Sequence, residues 1–265
     1  MTRTITSLAN QTVKDVRSLH MRKAREESGR FLAEGLKIVT EAVELGCAPR
    51  VLMFSAEASR HPLLARAIRA AEAARGEAIE VSREILAKIS RRDNPQTVLA
   101  VFDEALSPLT ALEPRAADCW VALQAVRDPG NLGTIVRTAD GAGCGGVILV
   151  GDCCDPYSVE AVRATMGSIF AVKIAKASVP EFIAWRETWP GAVVGTLLGA
   201  ATDFRAASYA PPCLVLMGNE QAGLAPELAA LCDVTVKIPM RGRADSLNLA
   251  VATGIMIYAA SGMIG

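Results

Sequence analysis

Three short segments carry the polar residues best placed for chemistry, and each follows an apolar run that reads as a strand. In the first, Val121–Val126 leads into Arg127-Asp128-Pro129-Gly130-Asn131 and then the helical run Leu132–Asp140. Leu132, Ile135, Val136 and Ala139 fall at i, i+3, i+4 and i+7, the spacing of a buried helix stripe. The opposite face holds Gly130, Gly133, Thr134 and Arg137, so the Arg137 guanidinium has small neighbours and room for an approaching group. Read for structure alone, the same residues make a capped helix with Asn131 as N-cap and Arg137 solvated. The second segment, Gly218-Asn219-Glu220-Gln221-Ala222-Gly223-Leu224, is a polar, glycine-bounded turn after the strand Cys213–Met217. The third follows the strand Val234–Ile238 and runs from Pro239 through Arg241, Arg243, Ser246 and Asn248 into a last helix from about residue 246. Read structurally, Glu220 is a surface turn residue and Ser246 a helix N-cap. Asn248 resists that reading, because an amide in the first turn of a helix that is apolar all round needs a partner.

Elimination narrows the chemistry further. Both histidines, His20 and His61, lie in the first half, so the second half cannot assemble a Ser-His-Asp or Cys-His unit by itself. A G-x-x-x-x-G-K-[ST] phosphate loop is absent. Gly141-Ala142-Gly143-Cys144-Gly145-Gly146 does fit G-x-G-x-x-G. These glycines end a helix and lead into a strand, however, which is the reverse of the dinucleotide fingerprint. The 7 cysteines include no C-x-x-C and read as free, largely buried thiols of a reducing cytosol. With only 2 histidines, no metal site is expected.

Around these segments the chain is organised as two α/β domains. Its 265 residues suit a count of one domain per roughly 150 residues. A composition of 51% hydrophobic and 21% charged residues excludes disorder as the dominant state. Residues 1–105 alternate helices and short strands, beginning with a long basic helix over roughly 8–27 that stops before Gly29. Residues 106–118, with two prolines, read as a linker. Residues 119–265 alternate strands near 120–126, 147–150, 171–174, 192–198, 213–217 and 234–238 with helices. That pattern predicts a mostly parallel sheet, covered on both faces, with ligands at the carboxyl ends of its strands. The uncharged stretch 246–265 is long enough to consider a membrane span, but its serines, glycines and Asn248 favour a buried or subunit-interface helix. A cytoplasmic protein with no membrane association is the expectation, since the N-terminus lacks an apolar signal core.

The three polar segments, in this order and spacing, resemble the SpoU (TrmH-like) family of RNA ribose 2′-O-methyltransferases, within the SPOUT superfamily. Asp128-Pro-Gly-Asn-Leu-Gly-Thr-Ile-Val-Arg137-Thr-Ala139 is similar to the family's first motif. Gly218-Asn-Glu220 with the following Gly-Leu resembles the second, and Ile238-Pro-Met240 through Ser246-Leu-Asn248 the third. Where the third motif usually continues with valine and serine, this chain has Leu249 and Ala250, which leaves Ser246 and Asn248 in place. The first half resembles, less closely, a substrate-binding domain similar to ribosomal protein L30e, through Arg25, Gly29, Phe31-Leu-Ala-Glu34-Gly35 and Asn94-Pro95-Gln96.

The resemblance implies S-adenosylmethionine (AdoMet) as methyl donor, a deep C-terminal trefoil knot and a homodimer through the knot region and last helix. Periodicity could not have revealed a knot, which is a rare exception to ordinary chain topology. It places Thr196, Leu197, Gly218, Ile238, Met240 and Leu247 around the cofactor, and Arg22, Lys23, Arg25 and Arg30 against RNA. Asn131, Arg137, Glu220, Ser246 and Asn248 become the catalytic set, with the central role given to Arg137. A guanidinium offers only donors and a pKa above ~12, so Arg137 acts either as a base in a site favouring its neutral form or as a clamp on an RNA phosphate. The expected reaction is methyl transfer to a ribose 2′-hydroxyl, most naturally in 23S-type ribosomal RNA. A tRNA methyltransferase and a non-catalytic RNA-binding assembly factor on the same fold are the alternatives. A nicotinamide dehydrogenase rests on Gly141–Gly146 alone.

The charge pattern permits RNA binding without demanding it. Lys+Arg and Asp+Glu both total 28, yet residues 1–106 hold 17 basic and 14 acidic side chains, and residues 1–37 hold eight and four. Recognition is expected to rest on a local basic patch and on shape.

Overall fold

The single basic helix expected over 8–27 is two helices in the computed structural model, which describes residues 2–264. Helix α1 (Gln11–Ser18) starts at Asn10, whose side chain accepts from the Thr12 amide, and α2 (Arg22–Ser28) stops at Gly29 in the left-handed region. Between them Met21 is extended, and the break frees the Leu19 carbonyl to accept from Arg25 Nη1 at 2.7 Å. Arg25 also donates twice to Asp155 (2.9 and 2.6 Å) and is only 3% exposed. Breaking a buried pair of this kind costs about 3–5 kcal/mol. Arg25 is therefore a structural residue and is corrected out of the expected RNA contacts.

The chain forms two compact units, the first running to Glu104 and taking in Asp155–Phe170, the second built from Ala105–Cys154 and Ala171 onward. In the first unit β1 (Arg3–Ile5), β2 (Arg30–Glu34), β3 (Val51–Phe54), β4 (Glu77–Val81) and β5 (Val98–Asp103) form a sheet in the order β1-β4-β3-β5-β2. Strands β1, β4 and β3 run parallel, while β5 is antiparallel to both its neighbours. Helices α3 (Leu36–Glu44), α4 (Pro62–Ala73) and α5 (Arg83–Ser90) complete it. The three-residue β1 has no alternation to read and was not expected.

Segment Asp155–Phe170 differs from the expected division, which put it with the second half. Phe31 packs on Tyr157 and Phe170 with ring centroids 4.7 and 5.7 Å away, and Arg163 reaches the buried Glu34 carboxylate at 3.0 Å. These aromatic and charged partners lie over a hundred residues apart in sequence. The residues 1 and 265 that end the two expected domains lie outside the described residues.

The second unit holds the 8-stranded sheet β11-β13-β10-β12-β7-β8-β9-β6, parallel at every pairing. Its strands are β6 (Leu106–Ser107), β7 (Cys119–Gln124), β8 (Gly146–Val150), β9 (Lys173–Ala177), β10 (Val193–Thr196), β11 (Thr202–Asp203), β12 (Cys213–Met217) and β13 (Val234–Lys237). Helix α6 is Pro129–Gly141, α7 is Val159–Thr165 of the first unit, and α8 (Val179–Arg186), α9 (Pro226–Ala229) and α10 (Leu249–Ala260) follow. The expected linker is part of this unit, because β6 supplies an edge strand on β9 and the Pro114 carbonyl accepts from Trp120 Nε1 at 3.0 Å.

Strands β7, β8 and β12 are buried along nearly their whole length, as near-continuous apolar runs in a two-faced parallel sheet should be. The glycines after α6 serve that packing. A Cβ on Gly145 would run into the Trp120 indole, and one on Gly146 would stand 2.6 Å from the Lys173 carbonyl oxygen. They are helix-stop and packing glycines, which removes the basis for a dinucleotide site. No described helix is long and apolar enough to cross a membrane.

Candidate functional site

Strand order reverses beside β7, which has β8 on one side and β12 on the other. In a parallel sheet that reversal opens a crevice outside the carboxyl ends of the strands. Here a cleft of about 840 Å³ lies at that point, lined by Gln124, Arg127, Asp128 and Asn131 from the β7–α6 turn and by residues Asn219–Pro226 after β12. Helix α6 begins one turn earlier than expected. Its N-cap is Asp128, which accepts from the Asn131 amide at 2.6 Å, so Asn131 is not the cap and its side chain is released for other work. The stripe Leu132, Ile135, Val136 and Ala139 is buried as expected, and Gly133, expected on the open face, is buried with it.

The Glu220 carboxylate organises the cleft. It accepts from the backbone amides of Arg127 and Asp128 at 3.3 Å, from Asn219 Nδ2 at 3.3 Å and from Asn131 Nδ2 at 3.4 Å. Asn131 in turn accepts from Asn248 Nδ2 at 2.9 Å. Three segments separated by about ninety and then about thirty residues thus meet in one hydrogen-bonded chain, Glu220–Asn131–Asn248. Asn248, rather than Ser246, caps α10, which starts at Leu249; its Oδ1 accepts from Ala250 N at 2.9 Å and Val251 N at 3.3 Å. The partner that an amide at that position requires is therefore met twice over.

Asn248→Ala is expected to cost about 1 kcal/mol for the lost cap. That lowers the unfolding temperature of the second unit by about 2–4 °C. Asn248→Ser should restore the cap and the melting temperature but not the link to Asn131. Thermal unfolding measured beside methyl transfer separates the two roles.

Two expected members stand apart from this chain of hydrogen bonds. Arg137 is exposed on α6, six residues and about 9 Å of helix rise beyond Asn131, and bonds no described residue. Ser246 is exposed on the coil between β13 and α10 and likewise has no hydrogen-bond partner among the described residues.

The residues expected around AdoMet lie at the same carboxyl edge. Register puts Thr196 beside Val236 of β13, the Leu197 amide donates to the Val236 carbonyl at 2.9 Å, and Thr196 Oγ1 meets Met217 Sδ at 3.2 Å. Gly218 directly follows Met217, and Ile238, Met240 and Leu247 lie on the coil leaving β13. Leu197, Ile238, Met240 and Leu247 are all half-buried rather than core. Half-buried Leu197 and Ile238 at the ends of the paired strands β10 and β13, with Thr196 and the tight turn at Gly218, suit a ligand with a flat adenine ring and a polar ribose, so the residues present fit AdoMet.

Sequence reasoning missed two contributors. Asn219 shapes the turn, with Oδ1 accepting from Gln221 N and Ala222 N and Nδ2 donating to the Ala125 carbonyl at 2.7 Å. An asparagine at a strand's end before a polar turn is the signal that points to it. Ala125 itself has φ 48°, a left-handed conformation costing roughly 1–2 kcal/mol for a non-glycine residue. Such strain persists where surrounding bonds over-determine the backbone, as Asn219 and the Val150 carbonyl do here. The sulfur chemistry is quiet by contrast. Burial pushes the Cys213 thiol up to about 12 and Cys232 up to about 11, so both are neutral packing groups rather than nucleophiles.

A parallel sheet with its strand order reversed at a crevice, and with polar turns from three segments bonded together there, defines a doubly wound α/β enzyme. The chain belongs to the SpoU rRNA Methylase family, whose sequence model matches residues 118–258. Residues 10–100 match the MRM3-like substrate binding domain. The AdoMet-bound rRNA methyltransferase from Sinorhizobium meliloti has the same fold at a TM-score of 0.92, with 46% identity over 98% of this chain and 97% of that one. The 23S rRNA (uridine(2479)-2'-O)-methyltransferase of Streptomyces viridochromogenes is 32% identical over 90% of this chain and 85% of its own length. The 23S rRNA (guanosine(2553)-2'-O)-methyltransferase RlmP of Bacillus subtilis is 29% identical over 96% and 97%. The chain is accordingly an RNA methyltransferase that uses AdoMet.

Proposed function

We propose that this protein transfers the AdoMet methyl group to a ribose 2′-hydroxyl of large-subunit ribosomal RNA. The observation that carries the reading is the hydrogen-bonded chain Glu220–Asn131–Asn248, assembled from three distant segments at the sheet's crevice, with Asn131 on the same helix as Arg137, whose guanidinium bonds no described residue. Relatives named as 23S ribosomal RNA 2′-O-methyltransferases support ribosomal RNA over tRNA. When bound, AdoMet supplies an electrophilic methyl group on an already activated sulfonium. The protein's tasks are then orientation and removal of one proton. Orientation alone supplies about 7–11 kcal/mol.

Glu220 holds the β7–α6 turn through the Arg127 and Asp128 amides and fixes the Asn131 amide group. Asn131 and Asn248 together orient the ribose, and Ser246, free on its coil, closes on the substrate. Arg137 clamps an RNA phosphate beside the reacting hydroxyl, and the proton leaves through that phosphate or water. The forked, donor-only guanidinium suits this role better than that of a base. Thr196, Leu197, Gly218, Ile238, Met240 and Leu247 hold the cofactor.

The same reading includes a trefoil knot formed by the C-terminal segment, a homodimer through the knot region and α10, and work in the cytoplasm. Support for the dimer comes from α10 and its continuation, which carry no charge and leave Val251, Met263 and Ile264 exposed.

The test is transfer of labelled methyl from AdoMet to unmodified total RNA, followed by size fractionation. Label in the large ribosomal RNA is the expected result. Label in tRNA alone overturns the substrate, and absence of both label and AdoMet binding overturns the enzyme.

A further inference from the structure

The first unit carries a second concave site, remote in sequence from the family motifs. A cleft of about 770 Å³ lies between the end of α1 and the end of α5, where Arg17 converges with Lys88, Arg91 and Arg92. Glu84 and Asp93 also line it, so its walls carry four cations against two anions. Arg17, Lys88 and Arg91 are exposed, and none of their side chains has a hydrogen bond or ion pair with any described residue. The Arg92 guanidinium pairs with the Glu34 carboxylate at 3.9 Å.

Local structure does not explain this arrangement. The dipole of α5 favours one cation in its last turn, which accounts for Lys88 alone. Arg91 and Arg92 lie beyond the end of α5, so its dipole gives no reason for either. Arg91 adopts φ 57° at the helix C-cap, and Arg17 arrives from a different helix. Arg17, Lys88 and Arg91 differ in this from the cations of the expected RNA-binding arm, each of which has a carboxylate partner. Arg22 pairs with Glu26 at 2.7 Å, Lys23 with Glu27 at 3.8 Å and Arg30 with Asp103 at 3.5 Å, and Arg25 is buried.

We infer that the Arg17–Lys88–Arg91–Arg92 cleft is a docking site for the phosphodiester backbone of the RNA substrate. This rests on the RNA methyltransferase reading above and adds where the first unit grips the nucleic acid. Unpaired cations converging on a concave surface gain affinity by displacing counterions from phosphates, without reading bases.

The test compares two triple variants of the full chain in RNA binding over a salt series, AdoMet binding and steady-state transfer. One is Arg17→Gln/Lys88→Gln/Arg91→Asn, in which asparagine tolerates the left-handed backbone. The other, Arg60→Gln/Arg69→Gln/Arg75→Asn, removes three exposed positive charges elsewhere on the same unit. The cleft variant is expected to bind RNA at least about tenfold more weakly, with the slope of log affinity against log salt shallower by about 2, or ~0.7 per lost phosphate contact. AdoMet affinity and kcat at saturating RNA should stay at wild-type values while KM rises. The comparison variant should lose no more than about threefold in RNA affinity at the same salt. Equal losses in the two variants, or a wild-type slope in the cleft variant, overturn the cleft. If wild-type protein neither binds RNA nor transfers methyl, the underlying enzyme reading falls and the cleft with it.

Discussion

Arg137→Ala is expected to leave AdoMet affinity at its wild-type value and to reduce methyl transfer by about 10²–10³-fold, the range for removing one preorganised electrostatic donor from a reacting centre. The guanidinium is exposed and bonds no described residue, so deleting it should not change the unfolding temperature. Its loss then appears in turnover alone. Arg137→Lys sharpens the result. A lysine keeps the charge but offers a point contact in place of a planar fork. If the fork holds a phosphate through two donors, the lysine variant should stay far below wild type. Near-full activity in Arg137→Lys would show that a single charge is enough. A matched fall in AdoMet affinity in Arg137→Ala would reassign Arg137 to the cofactor.

The other large effect is expected at Gly218. A Cβ there would fall inside the backbone of Gly223 and Leu224, where no flexible side chain can yield. The turn is closed by two backbone hydrogen bonds, Asn219 N to Gly223 O at 2.9 Å and Gly223 N to Asn219 O at 3.0 Å. Overpacking a close-packed site costs about 1–3 kcal/mol and sometimes more, and a clash against backbone belongs at the upper end. Gly218→Ala is therefore expected to destabilise the second unit by about 3 kcal/mol, lowering its unfolding temperature by roughly 6–12 °C. AdoMet binding and transfer should fall together, because moving the turn also moves Glu220 and its four donors. Gly199→Ala is the natural comparison. Nothing lies within 4 Å of the Cβ it would add, so it should melt like wild type. A Gly218→Ala protein with unchanged melting temperature would mean that the turn opens without cost and is not what holds Glu220.

Much of the molecule was legible from local sequence. Six of the eight strands of the second unit, the buried stripe of α6, the helix-stop role of Gly141–Gly146 and the polar turn after β12 all follow from short-range periodicity and glycine chemistry, whereas the two-residue edge strands β6 and β11 are too short to show a pattern. Of the five catalytic residues that the family resemblance implies, the fold bonds three into one chain, Asn131, Glu220 and Asn248. Helix boundaries were less legible. Asp128 and Asn131 can both cap α6, as can Ser246 and Asn248 for α10, and short-range sequence does not choose between them. Asn131 gives up the cap because Glu220 and Asn248 occupy its amide.

By itself the sequence determined the α/β class, the parallel sheet, the three polar turns and the family they mark, because each depends on residues within about a dozen positions of one another. Tertiary structure alone decided that Glu220 accepts from amides about ninety residues away, since that pairing exists only because β12 lies beside β7. It also decided that Arg25 is a buried partner of Asp155 rather than an RNA contact, and that Arg17 stands beside Lys88 and Arg91. An arginine looks the same in sequence whether it faces solvent, a phosphate or a carboxylate 130 residues away. Only the packing of the chain determines which of these surrounds its guanidinium.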